Sequence, residues 1–213
     1  MTTTDTAKTR AGFIAILGAP NVGKSTLVNR LVGAKVSIVS PKVQTTRTRV
    51  LGIFIEGSAQ VILVDTPGIF EPKRRLDRAM VAAAWSGAQD ADAVALLIDA
   101  KAGIDARAQA IIDKLAADGR KAFLILNKID LVAKPVLLAL AQKLMDTGIF
   151  SECFMVSAQT GDGVNTLTKV FADIVPEGPW LFPEDEISDM PARLLAAEVT
   201  REKLFLELHQ ELP

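Results

Sequence analysis

Histidine is almost missing from this 213-residue chain: the single copy, His209, stands close to the C-terminus. A Ser-His-Asp triad, a Cys-His pair or a histidine-ligated zinc therefore cannot be assembled in the main body of the sequence. Cysteine is equally scarce. Cys153 stands alone, which excludes an intramolecular disulfide and suits a reducing compartment; its setting in Glu-Cys-Phe-Met-Val reads as a strand residue rather than a nucleophile. Excess charge is lacking too. With a formal net charge of −1, the chain carries no global field for nucleic acid, so any RNA or membrane contact must come from a local patch or from further sequence. Long apolar runs are also absent. After a polar, Thr-rich start, the stretch 13–17 is far shorter than a secretory apolar region or the about 20 residues of a membrane span, and the expectation is a cytosolic protein.

What is present is the composition of one globular α/β domain, 49% hydrophobic and 23% charged. Apolar runs of strand length recur at 12–17, 61–64, 94–98, 122–126 and 153–156, separated by helical periodicity at 24–31, 74–87, 106–117, 135–145 and 164–175. Several of these helices end at or near Gly33, Gly119 and Gly148. This alternation implies βαβ units and a mostly parallel sheet covered on both faces. One pair breaks it: 49–55 and 60–64, around Glu56-Gly57-Ser58, read as an antiparallel hairpin at the sheet edge. The predicted architecture is therefore a flexible start (1–11), a domain over 12–176 with a mixed six-stranded sheet, and an acidic, proline-punctuated linker over 177–191. A last amphipathic helix begins at 192, with Leu194, Leu195, Val199, Leu204, Phe205 and Leu208 on its apolar face.

Four short strings carry the chemistry. Gly18-Ala19-Pro20-Asn21-Val22-Gly23-Lys24-Ser25, followed by Thr26, lies between a predicted strand and a predicted helix, the context of a phosphate loop. Its backbone N–H groups and the helix N-terminus would cradle phosphate, Lys24 would reach the β- and γ-phosphates, and Ser25 would ligate Mg²⁺. The competing reading is a glycine-rich turn with a surface lysine. Asp65-Thr66-Pro67-Gly68 ends a strand beside that loop, where Asp65 can hold Mg²⁺ through a water and the Gly68 N–H can meet the γ-phosphate. In Asn127-Lys128-Ile129-Asp130 the last carboxylate can accept from guanine N1–H and its 2-amino group, neither of which adenine offers, so GTP is expected rather than ATP. Lys128 can lay its stem over the base and Asn127 can brace the phosphate loop. Val156-Ser157-Ala158 follows the last strand, where the Ala158 N–H can meet guanine O6. The order and spacing of the four strings define a guanine-nucleotide site on an α/β phosphate-loop NTPase fold of Ras-like type.

With these motifs the chain resembles the TrmE-Era-EngA-like family of bacterial translation-factor-class GTPases over nearly all of residues 12–213. The discriminating segments are 18–29, Ser-Ile-Val-Ser-Pro-Lys-Val-Gln-Thr-Thr-Arg at 37–47, Asp-Thr-Pro-Gly-Ile at 65–69 and Arg-Glu-Lys at 201–203. The resemblance makes 37–47 the first switch, with Thr45 or Thr46 as a Mg²⁺ ligand in the GTP state; Thr46, directly before Arg47, is the preferred one. Lys24, Thr46 and Gly68 would then be the catalytic set. Ile69 stands where a Ras-type site has a water-positioning glutamine, so intrinsic hydrolysis is expected to be slow and no general base is assigned. Asn21 is the residue type that ligates K⁺ in related potassium-dependent GTPases, against the alternative that it merely favours the turn.

The basic residues Lys42, Arg47, Arg49, Lys73, Arg74 and Arg75 border both switches, as a solvated face or as an rRNA contact. Trp180 and Phe182 read as packing residues. The resemblance further implies a role in small ribosomal subunit (16S rRNA) assembly, a monomer, contact with the 30S subunit mainly through a C-terminal KH domain, and peripheral association with the inner membrane. No GxxG loop follows Gly178, so residues 192–213 are expected to be only the opening helix of an incomplete KH domain, with normal GTP binding and little rRNA affinity. The rival readings are the GTPase domain of a related ribosome-assembly or tRNA-modifying GTPase, a static nucleotide-binding module, and a regulator cut from a membrane transporter.

Overall fold

The computed structural model describes residues 8–39, 49–70, 72 and 75–207. Six strands form one sheet: β1 (Arg10–Leu17), β2 (Val50–Glu56), β3 (Ala59–Asp65), β4 (Ala93–Asp99), β5 (Ala122–Asn127) and β6 (Phe150–Met155). They lie in the order β2-β3-β1-β4-β5-β6, with β2 antiparallel to β3 and the remaining pairs parallel. The hairpin read from the sequence is thus the one antiparallel edge. Helices α1 (Lys24–Val32), α2 (Arg75–Asp90), α3 (Ala106–Ala117), α4 (Lys134–Met145) and α5 (Val164–Ile174) cover the sheet, and α6 (Ala192–Glu207) follows.

The strands are apolar throughout because both of their faces are buried, and alternate residues feed two cores. Ala15, Leu17, Leu96, Ile98, Leu124 and Leu126 face Ala84 and Ala88 of α2, Ile111 and Leu115 of α3 and Leu144 of α4. Ile14, Ile16, Ala95, Leu97 and Ile125 pack with Leu27 and Val28 of α1 and Leu167 and Phe171 of α5. Each such buried Leu or Ile contributes about 1.5–3 kcal/mol, and the parallel strands they line all end at the same edge. That edge carries the four motifs. Cys153 is half-buried in β6 and burial pushes its thiol up to about 11, which fits the strand reading and not a nucleophile.

Residues 177–191, read from the sequence as an acidic, proline-punctuated linker, are docked on the sheet. Gln60, 0% exposed in the otherwise apolar β3, accepts at Oε1 from the Leu181 N–H (2.9 Å) and the Phe182 N–H (3.0 Å) and donates to the Phe182 carbonyl (2.8 Å). The Trp180 indole N–H donates to the Ser58 carbonyl (3.0 Å), the Ile53 N–H to the Ile187 carbonyl (2.9 Å), and the Leu51 N–H to Asp189 Oδ1 (3.1 Å). The reason is the edge itself: among the described residues β2 has no strand beyond it, and its outward N–H groups find acceptors in the acidic strap. The side chain of Gln60 is what anchors this segment to the sheet. Phe182 packs against the core, as read from the sequence.

Candidate nucleotide site

The loop 18–23 leaves β1 and turns directly into α1. Its glycines are demanded by space and by backbone. Gly18 and Gly23 adopt φ of 155° and 100°, and a Cβ would lie 2.6 Å from the Leu97 carbonyl oxygen at the first and 2.4 Å from Asn127 Nδ2 at the second. Asn21 holds φ 63°, a left-handed position that asparagine tolerates well. Lys24 is buried and donates to the Gly18 (3.0 Å) and Ala19 (2.9 Å) carbonyl oxygens, so its ammonium lies folded over the mouth of its own loop. Burial lowers its pKa to about 8, opposed by the charge of Asp65, and a polyphosphate in the loop would favour the charged form.

Asp65 ends β3 beneath this loop. It is 0% exposed, its Oδ2 accepts from the hydroxyls of Ser25 (2.8 Å) and Ser37 (2.7 Å), and its Oδ1 has no hydrogen-bond partner among the described residues. Burial raises its pKa, against the Ser37 hydroxyl, the Lys24 charge and the Ser25 hydroxyl, which favour the carboxylate. An orphaned buried oxygen beside a serine hydroxyl fits a hard divalent cation. Among the described residues no cluster of three or more His, Cys, Asp or Glu exists, so the cation that fits is one drawing most of its oxygens from phosphate and water, as Mg²⁺ does. Thr66 donates to the Ile16 carbonyl (2.8 Å), pinning the β3 end to β1, and Pro67 and Gly68 follow. Gly68 lies so close to Pro20 that a Cβ would approach within 2.9 Å, and the Ile69 N–H donates to the Gly18 carbonyl (3.1 Å).

The base-reading strings sit at the ends of β5 and β6. Asn127 is buried and joins the two halves of the site: its Nδ2 donates to the Val22 carbonyl (2.9 Å) and its Oδ1 accepts the Ala158 N–H (2.9 Å). The bracing role expected of Asn127 is present, and the Ala158 N–H expected to meet guanine O6 is held by the same side chain. Lys128, at φ 64°, reaches over the phosphate loop to the Asn21 carbonyl (2.9 Å) and Asp99 Oδ2 (2.6 Å). Asp130 is exposed on a short 3₁₀ turn, Ile129–Leu131, its carboxylate at the surface where a base edge can reach it. Ser157 is buried and its Oγ accepts the Thr160 N–H (3.1 Å), which shapes the loop.

The fold therefore gathers Gly18 through Thr26, Asp65 through Gly68, Asn127, Lys128, Asp130, Ser157 and Ala158 along one edge. Thr45 and Thr46, together with Lys42, Arg47, Lys73, Arg74 and His209, lie outside the described residues. Arg49 and Arg75 are exposed. Sequence reasoning missed Asp99, which anchors Lys128, and Arg30, whose guanidinium Nε donates to the Ala158 carbonyl (3.1 Å). It also missed Ser37 and Asn29 as individuals, although both fall inside the segments that carried the resemblance.

A phosphate loop, a strand-end carboxylate with a free buried oxygen and an Asn-Lys-x-Asp turn on one sheet edge define a phosphate-loop GTPase. A family description of 50S ribosome-binding GTPases matches residues 13–128. The chain is 63% identical to the GTPase Era of Afipia carboxidovorans over 205 residues, covering 96% of this chain and 67% of that protein. It is 60% identical to the GTPase Era of Brucella melitensis over 210 residues, covering 99% and 68%. A solved structure of Era with MgGDPNP and nucleotides 1506–1542 of 16S ribosomal RNA is similar at TM-score 0.90 and 42% identity, covering 96% of this chain and 70% of that one. The FeoB G-domain of Methanococcus jannaschii, at TM-score 0.57 and 28% identity over 78% of this chain, shares the fold at a greater distance. The chain belongs to the Era family of GTPases.

Proposed function

We propose that this GTPase is a slow, Mg²⁺-dependent molecular switch in assembly of the small ribosomal subunit. The observation that carries the switch is Asp65: a carboxylate buried beside Lys24 and Ser25 with one oxygen satisfied twice and the other not at all. Mg²⁺, when bound there, supplies charge neutralisation for the β- and γ-phosphates. Ser25 and Asp65 would hold it, with Thr46 completing the set in the GTP state. Lys24 leaves the Gly18 and Ala19 carbonyl oxygens to reach the phosphates, and the Gly68 N–H faces the γ-phosphate. Slow hydrolysis follows from Ile69, which is buried and offers the attacking water only backbone groups.

The base reading rests on Asp130, exposed and aimed from a turn that Asn127 and Lys128 tie to the phosphate loop. Asp130→Asn should lose GTP affinity by roughly 10⁴-fold and gain xanthosine triphosphate, whose 2-oxo group suits an amide donor. Equilibrium titration with both nucleotides checks this; retained GTP preference would overturn the base assignment. K⁺ is proposed as a second cation, held by Asn21. The left-handed Asn21 backbone is accounted for by the turn alone, so this role stands on hydrolysis being faster in KCl than in NaCl at equal ionic strength.

The rRNA part of the reading is supported by the Era neighbour that was solved with nucleotides 1506–1542 of 16S rRNA. We read α6 as the opening helix of a KH domain, the chain spanning about two thirds of the length of its curated relatives; residues 208–213 lie outside the described residues. The rRNA contact is expected from a KH domain rather than from the GTPase domain, so tight, sequence-dependent binding of the rRNA 3′ region by residues 12–176 in a filter assay would sink that expectation. We place the protein in the cytoplasm as a monomer, with peripheral contact to the inner membrane; no helix among the described residues is long and apolar enough to cross a membrane.

A further inference from the structure

Ser37 belongs to none of the four motifs, yet its hydroxyl ends on the metal-site carboxylate. It lies past α1 at the root of the first switch and is 3% exposed. Its backbone is clamped on both sides by Asn29 of α1: Asn29 Nδ2 donates to the Ser37 carbonyl (2.7 Å), and Asn29 Oδ1 accepts the N–H groups of Val36 and Ser37 (2.9 Å each). Its N–H and C=O are thus both held, and from this fixed backbone the hydroxyl donates to Asp65 Oδ2 at 2.7 Å. Helix α1 thus delivers two hydroxyls to a single carboxylate oxygen, Ser25 from its own first turn and Ser37 through Asn29. Both hydroxyls fall on Oδ2 and none on Oδ1.

We propose that Ser37 is a positioning residue for Mg²⁺: it fixes the rotation of the Asp65 carboxylate so that Oδ1 stays aimed at the metal-bound water. Ser25 cannot do this alone, because its oxygen is itself a metal ligand and its hydroxyl direction must follow the cation. Among the described residues the Ser37 hydroxyl makes no other bond, and it keeps Oδ2 in place whether or not the cation is present. Hydrogen-bond partners of this kind around a metal ligand are worth 10- to 100-fold in metal affinity. The inference rests on the GTPase reading and adds a residue to it.

The test measures dissociation of a fluorescent GDP across a series of free Mg²⁺ concentrations, with EDTA as the metal-free limit. In Ser37→Ala the Mg²⁺ concentration that half-maximally slows dissociation should rise about tenfold, with GDP affinity in EDTA kept within twofold of wild type. Ser37→Thr, which retains the hydroxyl, should return the midpoint to within about threefold. Ser37→Cys, nearly isosteric with a weaker donor, should shift it in the same direction as alanine and serves if the alanine variant does not fold. An unchanged midpoint in the alanine or cysteine variant overturns the proposal. So does an equal loss of affinity in EDTA and in Mg²⁺, which would mark Ser37 as a support of the loop only. A wild-type protein whose GDP release ignores Mg²⁺ would overturn the GTPase reading itself, a result distinct from either of these.

Discussion

Asp65 at the nucleotide edge and Glu202 on α6 are both sealed from solvent, at 0% and 4% exposure, but the chain finishes one and leaves the other open. Glu202 accepts the Val39 N–H at Oε1 (2.9 Å) and the Lys35 ammonium at Oε2, so both of its oxygens are used. Burial alone would raise its pKa; the bonds from Lys35 and Val39 and the charges of Lys35 and Lys203 outweigh that, and the pKa is lowered. Asp65 has comparable donors on one oxygen only, burial prevails, and its pKa is raised. A carboxylate that is buried and complete holds structure together, whereas one that is buried and incomplete is held ready for a ligand at a cost to the empty protein. The contrast separates the nucleotide edge from the strap and α6, which are built as an anchor.

The sharpest way to break this contrast is to neutralise each acid in turn. Asp65→Asn should lower single-turnover GTP hydrolysis in Mg²⁺ by about 100-fold or more, since the amide cannot hold the metal-bound water as a carboxylate does. The nucleotide-free variant should melt no lower than wild type, because the desolvated charge is gone. Melting without nucleotide and hydrolysis with it, measured on the same preparation, check both halves. A large fall in the melting temperature would mean that Asp65 is a structural acid like Glu202.

Glu202→Ala should do the reverse. Removing it leaves the Val39 N–H and the Lys35 ammonium without their acceptor and should cost about 1–3 kcal/mol in the docking of α6. GDP affinity in Mg²⁺ should stay within about threefold. Hydrogen exchange reads the first effect directly, as faster exchange of the Val39 amide and of the α6 backbone. Unchanged exchange at Val39 would show that α6 is held by its apolar face alone.

These two acids also mark where the sequence is legible. Asp65 could be read from local text, because a carboxylate at the end of an apolar strand, followed by Thr-Pro-Gly and preceded by a phosphate loop, has few other uses. The strands, the hairpin and the helices over the sheet were legible for the same reason: apolar runs of strand length, the 3.6 period and turn residues are written in consecutive positions. Glu202 was not: Arg201-Glu202-Lys203 helped to carry the resemblance, but nothing in that string names the partners Lys35 and Val39, which lie 163 or more positions away. Ser37 and the Asn29 clamp escaped because a serine after a helix carries no pattern until the fold brings Asp65 to it. The docking of residues 177–191 could have been suspected from one signal, Gln60 as a polar residue inside the run Ala-Gln-Val-Ile-Leu-Val, where an unexplained amide needs partners. The first-switch threonines fall outside the described residues, so their expectation rests where the sequence left it.

The smallest effect sharpens the contrast by pH. Glu202 has a folded pKa below the ordinary glutamate value of 4.5, so docked α6 binds this proton less readily than undocked α6. Above 4.5 both forms are ionised and the whole contribution is present; as pH falls through the lowered value, the undocked form has already taken up a proton and the contribution is lost. Among the described residues, the charged groups that face this carboxylate are Lys35 from the segment after α1 and Lys203 from α6 itself. One proton is involved, so the slope is at most about 1.4 kcal/mol per pH unit and is confined to the acid side of 4.5. Protection of the Val39 amide should therefore be flat from neutrality down to that point and then decline, and Glu202→Gln should remove the decline while starting from a lower plateau. A wild-type profile that declines already near neutrality would assign the anchor to some group other than Glu202.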